Sequence, residues 1–187
     1  MTQPPPARST VLVPSLDADV AIEDDRWRSL VSAEHDDIEQ VVQAAAAALC
    51  ASEPAIFPPA SEVTILLSDD ARVAVLNGSF RDKPAPTNVL SFPADPAATE
   101  PGAPRYLGDI IIARETVERE AQEQSIPVAH HVQHLAIHGL LHLLGYDHQT
   151  DTEAERMEAI ETRVLASLGI ADPYAATELT HTDSQQH

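Results

Sequence analysis

Residues 138–148 run His138-Gly139-Leu140-Leu141-His142-Leu143-Leu144-Gly145-Tyr146-Asp147-His148. His138 and His142 are four residues apart, so on an α-helix both imidazoles lie on one face, one turn apart. Gly145 is the residue type expected where a helix ends in a left-handed turn, and that turn brings His148 back toward the same face. Three imidazoles that converge in this way can share one metal ion. The stretch therefore predicts a metal site on a late helix and on the turn after it.

The type of metal site follows from the number of ligands. Zinc binds histidine nitrogen at about 2.0–2.1 Å, and catalytic zinc sites commonly use three protein ligands and leave the fourth position to water. Structural sites are usually closed by a fourth ligand, commonly cysteine. The only cysteine, Cys50, lies in an alanine-rich segment predicted to be a core helix. An open, catalytic zinc site is favoured over a structural one, and ordinary helix-face histidines are the third interpretation.

The histidine spacing is that of the metzincin peptidases, H-E-x-x-H-x-x-G-x-x-H, with one departure. Gly139 stands where those enzymes have the glutamate that acts as general base. Glycine cannot exchange a proton, so the pattern keeps the metal but argues against peptide hydrolysis.

Four other polar residues near these histidines are interpreted separately. His134 lies one turn before His138 and is expected to be a packed histidine, bonded to a backbone carbonyl or to a group behind a metal ligand, although it could extend the metal site or contact substrate. His130 and His131 lie at the start of the helix and are expected to be solvated. Asp147 is expected to bond backbone in the turn, with orientation of a ligand imidazole as the alternative.

Composition places the chain in the cytoplasm. Its 187 residues suit one domain with a sizeable core. A single cysteine excludes an internal disulfide, which fits a reducing compartment. The proline-rich segment at 1–8 lacks the apolar core of a signal peptide, and no apolar run approaches the roughly 20 residues that a membrane span needs. We expect a soluble, cytoplasmic protein without a membrane partner.

The net charge of −19, from 30 acidic and 11 basic residues, argues against an RNA substrate because such a field repels phosphate. Basic residues are nevertheless concentrated between positions 72 and 119, so the potential near a cleft can differ in sign from the whole. Arginine, whose planar fork suits phosphate, predominates among them, and genomic base composition is the competing explanation. The six are Arg72, Arg81, Lys83, Arg105, Arg114 and Arg119.

Hydrophobic periodicity predicts a single domain at 9–171 between disordered tails at 1–8 and 172–187. The predicted fold class is α+β, with a single small mixed sheet packed against a helical layer, because strands come early and helices late. Ser68 is the predicted N-cap of the second helix, and Thr152 with Glu155 the capping box of the last. Predicted strands lie at 11–13, 62–67, 88–92 and 106–113, and predicted helices at 34–51, 69–77, 114–123, 127–144 and 152–168.

Three motifs, in this order along the chain, carry a family resemblance. The first is Leu76-Asn77, then Arg81 and Lys83, then Pro86-Thr87-Asn88-Val89-Leu90-Ser91-Phe92-Pro93. The second is Leu107-Gly108-Asp109-Ile110, and the third is the histidine stretch at 138–148. Together they resemble the YbeY family of bacterial zinc-dependent endoribonucleases, which act as rRNA maturation factors. The resemblance runs from about 11 to 168.

The resemblance implies an activity and its residues. His138, His142 and His148 fall on the family's zinc ligands, one ion per chain, and Arg81 falls on its functionally important arginine, thought to hold or polarise the RNA phosphate. The implied function is single-strand-specific cleavage in 16S rRNA 3′-end maturation and ribosome quality control. Ribosomal RNA, the small ribosomal subunit and ribosome-associated proteins are the implied partners. Asp82 and Pro84 replace the family's usual glycine and aspartate, which leaves open the conformation of the loop after Arg81.

These residues suggest metal-assisted hydrolysis of an RNA phosphodiester. Zinc held by three neutral imidazoles lowers the pKa of its water to about 7, which removes the need for a carboxylate at position 139. Arg81 would stabilise the charge that develops on the phosphate. The attacking oxygen, from water or from the RNA 2′-hydroxyl, stays open. The alternatives are a non-catalytic ribosome assembly factor with a structural zinc and a zinc hydrolase of a non-RNA substrate.

Overall fold

A computed structural model describes residues 14–30 and 37–175, with the side chain of Arg81 outside the described part. Over these residues the chain forms four strands and five α-helices, with short 3-10 helices in three of the connections. The strands are β1 (Ser15–Ile22), β2 (Ala60–Ser68), β3 (Val89–Pro93) and β4 (Arg105–Ala113). The helices are α1 (Ile38–Ser52), α2 (Asp70–Arg81), α3 (Arg114–Gln124), α4 (Val128–Leu143) and α5 (Asp151–Ser167).

The strands form one mixed sheet in the order β1-β2-β4-β3. β1 and β4 run parallel to β2, whereas β3 runs antiparallel to β4 and occupies one edge. Side chains of β4 alternate between the two faces of the sheet. Ile110 and Ile112 join the core formed with α1, α4 and α5, whereas Ile111 packs with Val73 of α2 on the other face. The predicted α+β class with a single mixed sheet and a helical layer is confirmed.

Two predicted helix boundaries are wrong. Asp69, not Ser68, is the N-cap of α2, since its carboxylate accepts a hydrogen bond from the Arg72 backbone N–H at 2.8 Å. α2 also continues past the predicted end at residue 77 to Arg81, where Asp82 adopts a left-handed conformation with φ 56°. The connection between α2 and β3 is therefore shorter than the predicted helix at 69–77 and strand at 88–92 imply.

The capping box of α5 is formed by Thr150 and Glu153 rather than by Thr152 and Glu155. The Thr150 backbone N–H donates to Glu153 Oε2 at 3.1 Å, and the Glu153 N–H donates to Thr150 Oγ1 at 3.3 Å. Both pairs have the spacing of a capping box, so spacing alone does not choose between them.

Other parts of the prediction lie outside the described residues. These are the strand at 11–13, the tail at 1–8 and the first residues of the helix predicted from 34. Within the described ranges, no helix is both long and apolar enough to cross a membrane.

Helix α4 lies close against the sheet at Gly139. A Cβ atom at this position would lie 3.0 Å from Ile110 Cγ2 and 3.1 Å from Ser91 Oγ, which is closer than side chains normally approach. The Ser91 hydroxyl also donates to the Gly139 carbonyl at 3.2 Å. A side chain at position 139 would therefore be crowded against β3 and β4, so the packing of the helix on the sheet favours glycine here.

We expect Gly139→Glu to destabilise the protein by at least about 1–3 kcal/mol, because overpacking adds to the burial of a charge. Gly139→Ala should have a smaller effect, since the gain in helix propensity of about 1 kcal/mol offsets part of the crowding. Urea unfolding of the three proteins measures both changes. An unfolding midpoint for the glutamate variant equal to that of the wild type would contradict this packing argument.

Candidate metal centre

Three histidines converge at the C-terminal end of α4. His138 and His142 project from consecutive turns of the helix, and His148 lies in the segment that joins α4 to α5. Gly145 turns the chain with φ 90°, as its position in the sequence predicts. One nitrogen of each histidine lies within 4.8 Å of the other two. The structure thus brings together the three residues that the sequence selects as metal ligands.

Hydrogen bonds at the outer nitrogens fix which ring nitrogens carry protons. His142 Nδ1 lies 3.0 Å from the Tyr146 carbonyl oxygen, which can only accept, so Nδ1 is protonated. His138 Nδ1 lies 2.8 Å from Glu161 Oε1. Burial, with the neighbouring His138 and His148, lowers the pKa of His142 below its usual value and favours the neutral ring. Its Nε2 is therefore a lone-pair donor.

Glu161 is the residue behind His138. It lies on α5, is fully buried, and accepts from His134 Nε2 at 3.0 Å in addition to His138. Burial raises its pKa, but the hydrogen bonds from His134 and His138 outweigh burial and lower the pKa to about 2. An ionised carboxylate accepts from His138 Nδ1, so the Nε2 of His138 is also unprotonated when the ring is neutral.

The inner nitrogens of the cluster have the character of metal ligands. His138 Nε2 and His142 Nε2 lie 3.0 Å apart, and both present lone pairs. Two lone pairs approach this closely when they share a positive centre, which can be a metal ion or a proton. A tetrahedral zinc ion at about 2.0–2.1 Å from each would hold them about 3.3 Å apart, close to the separation observed. The donor set and its protonation therefore fit zinc.

Sequence reasoning missed Glu161. One signal was present, because Glu161 is an acidic residue on the stripe of α5 formed by Met157, Ile160 and Val164, all buried. A charged residue on the apolar face of a helix needs a partner, since an unpaired buried charge is costly.

Two of the expectations for the neighbouring polar residues are confirmed, and one is wrong. His134 bonds Glu161, which in turn contacts His138, so His134 is a packed histidine bonded to a group behind a predicted ligand, as expected. Asp147 accepts from the His148 backbone N–H at 2.8 Å and from the Gln149 amide at 2.6 Å, so its turn role is confirmed. The expectation that His131 is solvated is wrong: the residue is 4% exposed, and its Nε2 lies 2.7 Å from Glu120 Oε2.

A cleft of about 810 Å³ opens beside His138. One wall comes from residues 170–175, so the segment predicted to be a tail from 172 begins with residues that pack on the domain. The Tyr174 hydroxyl hydrogen-bonds Glu161 and lies 3.2 Å from His134 Nε2. The hydroxyl is thus part of the same buried polar group that holds His138.

The basic residues between 72 and 119 do not all serve a phosphate surface. Arg114 is buried and binds Asp24 at 2.6 Å, Glu115 at 2.7 Å and also Glu118, so it holds α3 to the turn after β1. Arg81 ends α2, and because its side chain lies outside the described part, its role stays a prediction.

Comparison with known proteins gives family matches over most of the chain. Residues 21–169 match the family described as Endoribonuclease YbeY. An Endoribonuclease YbeY of Azorhizobium caulinodans is 50% identical and covers 86% of this chain and 97% of its own length. One from Rhodopseudomonas palustris is 48% identical and covers 86% of this chain and 82% of its own length. The solution structure of TM1509 from Thermotoga maritima shares the fold, with a TM-score of 0.52, 20% identity and coverage of 83% and 97%.

Glu161→Gln should weaken zinc binding by about 10–100-fold, the usual cost of removing a group that orients a metal-bound histidine. The substitution keeps the shape of the side chain but removes the charge that fixes the His138 proton. Competition with a chromophoric chelator measures the affinity. Glu155→Gln, on an exposed face of the same helix, is the control. Equal zinc affinity in the two variants would show that Glu161 does not control zinc binding through His138.

Proposed function

This chain belongs to the YbeY family of endoribonucleases, and from that membership we propose that it is a zinc-dependent, single-strand-specific endoribonuclease. Its proposed task is 16S rRNA 3′-end maturation and ribosome quality control in the cytoplasm, on RNA of the small ribosomal subunit. The rRNA substrate rests on the resemblance of the three sequence motifs. The observation that carries the metal-dependent chemistry is the convergence of His138, His142 and His148, with His138 Nε2 and His142 Nε2 3.0 Å apart.

The chain's own residues prepare the site for metal-assisted hydrolysis. When bound, zinc would supply Lewis acidity, which lowers the pKa of water to about 7 and polarises a phosphoryl oxygen. Glu161 and the Tyr146 carbonyl hold the outer nitrogens of His138 and His142, so both rings present Nε2 without rearrangement. The open cleft beside His138 would let an extended RNA strand reach these Nε2 atoms. An A-form duplex offers side chains little access.

Glu161 is not suited to act as a general base. Its pKa of about 2 is far below neutral pH, and both of its oxygens already accept hydrogen bonds from His138, His134 and Tyr174. An effective base has a pKa near the working pH. Position 139 is a glycine packed against the sheet, and Glu161 is unsuited. The proposed reaction therefore uses no carboxylate base from residue 139 or residue 161.

An open site favours the enzyme over an assembly factor with a structural zinc. Structural zinc is usually closed by a fourth protein ligand. Among the described residues, the cluster contains only His138, His142 and His148, and His148 is exposed. With one of its three residues exposed, the cluster could be reached by a substrate, which suits a metal that would act on one.

The net charge of −19 constrains how RNA is recognised. Such a field repels a free strand, so affinity for isolated RNA should be weak. Docking on a ribosomal particle, with one cation near the scissile phosphate, would then supply specificity. Arg81 is our choice for that cation.

Arg81→Ala should lower cleavage of a ribosomal RNA precursor about 10²-fold or more, because loss of one preorganised donor to a developing anion typically has an effect of that size. Arg81→Lys should recover only part of the activity, since the charge survives but the bidentate fork does not. Single-turnover cleavage by zinc-loaded protein measures the rates, with His142→Ala as the inactive reference.

Arg72→Ala, also on α2 and half exposed, is the matched control and should cleave normally. Zinc content and melting temperature should be equal in the Arg81 and Arg72 variants. Unimpaired cleavage by Arg81→Ala would mean that another group holds the phosphate.

A further inference from the structure

A second polar group lines the same cleft as His138, and the proposed reaction does not use it. It consists of Asn88 immediately before β3, Glu120 on α3 and His131 on α4. Glu120 Oε2 lies 2.7 Å from His131 Nε2 and accepts from Asn88 Nδ2 at 3.0 Å. Three elements that are distant in sequence thus place one polar cluster in the cleft wall.

The orientation of each member is fixed by its neighbours. Asn88 Oδ1 accepts from the Val89 backbone N–H at 2.8 Å, so its Nδ2 must be the atom that donates to Glu120. Burial lowers the pKa of His131, despite the opposing effect of Glu120, which favours a neutral ring. A neutral His131 that donates from Nε2 has an unprotonated Nδ1, and that buried atom has no hydrogen-bond partner among the described residues.

The cluster keeps unused hydrogen-bonding capacity beside the cleft. In the described part of the chain, Glu120 Oε1 accepts no hydrogen bond, and the Glu120 side chain is 25% exposed. Asn88 Nδ2 has a second N–H beyond the one given to Glu120. The cluster therefore offers an acceptor, carrying negative charge, next to a donor. Unused donors and acceptors on a cleft wall are groups that a ligand can bind, and the orphaned Nδ1 of the buried His131 needs an explanation of its own.

The position of the cluster relates it to the metal centre. The ring centroids of His138 and His134 lie 6.4 Å apart, and those of His134 and His131 lie the same distance apart. The cleft volume of about 810 Å³ lies within the range of about 300–1,000 Å³ common for ligand sites. Tyr174 lines it as well, and an aromatic ring offers a base a surface for stacking. A strand with its phosphate at the histidines can place a base at this wall.

We infer that Asn88, Glu120 and His131 form a nucleobase subsite that takes the pairing edge of a guanine next to the scissile phosphate. Guanine is the RNA base whose pairing edge has two adjacent N–H donors beside a carbonyl acceptor. Glu120 Oε1, the carboxylate oxygen left unused by Asn88 and His131, receives the N1–H and N2–H donors, and the second N–H of Asn88 Nδ2 donates to O6. His131 holds the Glu120 carboxylate in place. The inference rests on the proposed function, because it assigns a base to the strand cleaved at the histidines.

The test uses zinc-loaded full-length protein and short single-stranded RNAs that differ in one base on either side of the cut. At one of the two positions beside the cut, the RNA that contains guanosine should be cleaved about 10-fold faster than the RNA that contains adenosine. Good contacts to a base edge discriminate by a factor of this order. Inosine, which lacks the 2-amino group, should lose most of that advantage. The inosine comparison needs no variant, so it stands whether or not a substituted protein folds.

Glu120→Gln should remove the preference. The glutamine oxygen must still accept from Asn88 and His131, so its NH₂ group faces the cleft and opposes the guanine donors. Glu123→Gln, on the same helix and exposed, should keep the preference. Guanosine and adenosine rates that are equal in the wild type, or a preference unchanged in Glu120→Gln, would overturn the subsite while leaving the nuclease intact.

Binding of mononucleotides separates a failed subsite from a failed nuclease. If no RNA is cleaved, the proposed function fails, and the dissociation constants of GMP, IMP and AMP decide the subsite alone. Tighter binding of GMP that is lost in Glu120→Gln supports the subsite. Equal binding of the three nucleotides overturns it.

Discussion

The buried carboxylate of Glu161 is the constraint on which the candidate site depends. A charge with no exposure to solvent must be met by hydrogen bonds, and His138, His134 and Tyr174 provide them from α4 and from the chain after α5. The same bonds place the proton of His138 on Nδ1 and leave Nε2 free. One interaction thus joins the helices of the core and sets the chemistry of a proposed zinc ligand.

Helix α4 connects this constraint to the sheet. On one side it approaches β3 and β4 closely at Gly139. On another side it presents His134 and His138 to Glu161, and both of these line the cleft. The metzincin comparison treats Gly139 as a missing base. The structure gives a packing reason for the glycine, so its presence is explained without reference to peptidase chemistry.

Local patterns could be predicted from the sequence, and contacts between distant segments could not. The four-residue spacing of His138 and His142 and the turn at Gly145 are local, and both appear as expected. Glu161 and the Glu120–His131 pair depend on how α5 and α3 pack against α4, which no spacing reveals. Where two local signals competed, as in the two possible capping boxes of α5, the spacing did not tell which one forms. The role of Arg81 rests on sequence resemblance alone.

The zinc-to-protein ratio of the purified chain tests the central claim most directly. Elemental analysis after dialysis against dilute zinc should give about one ion per chain for the wild type and for His130→Ala, a substitution on the same helix outside the cluster. His148→Ala should lose most of its zinc, because two imidazoles on one helix hold the ion far less well than three. Full zinc occupancy in His148→Ala would contradict a site shared by His138, His142 and His148.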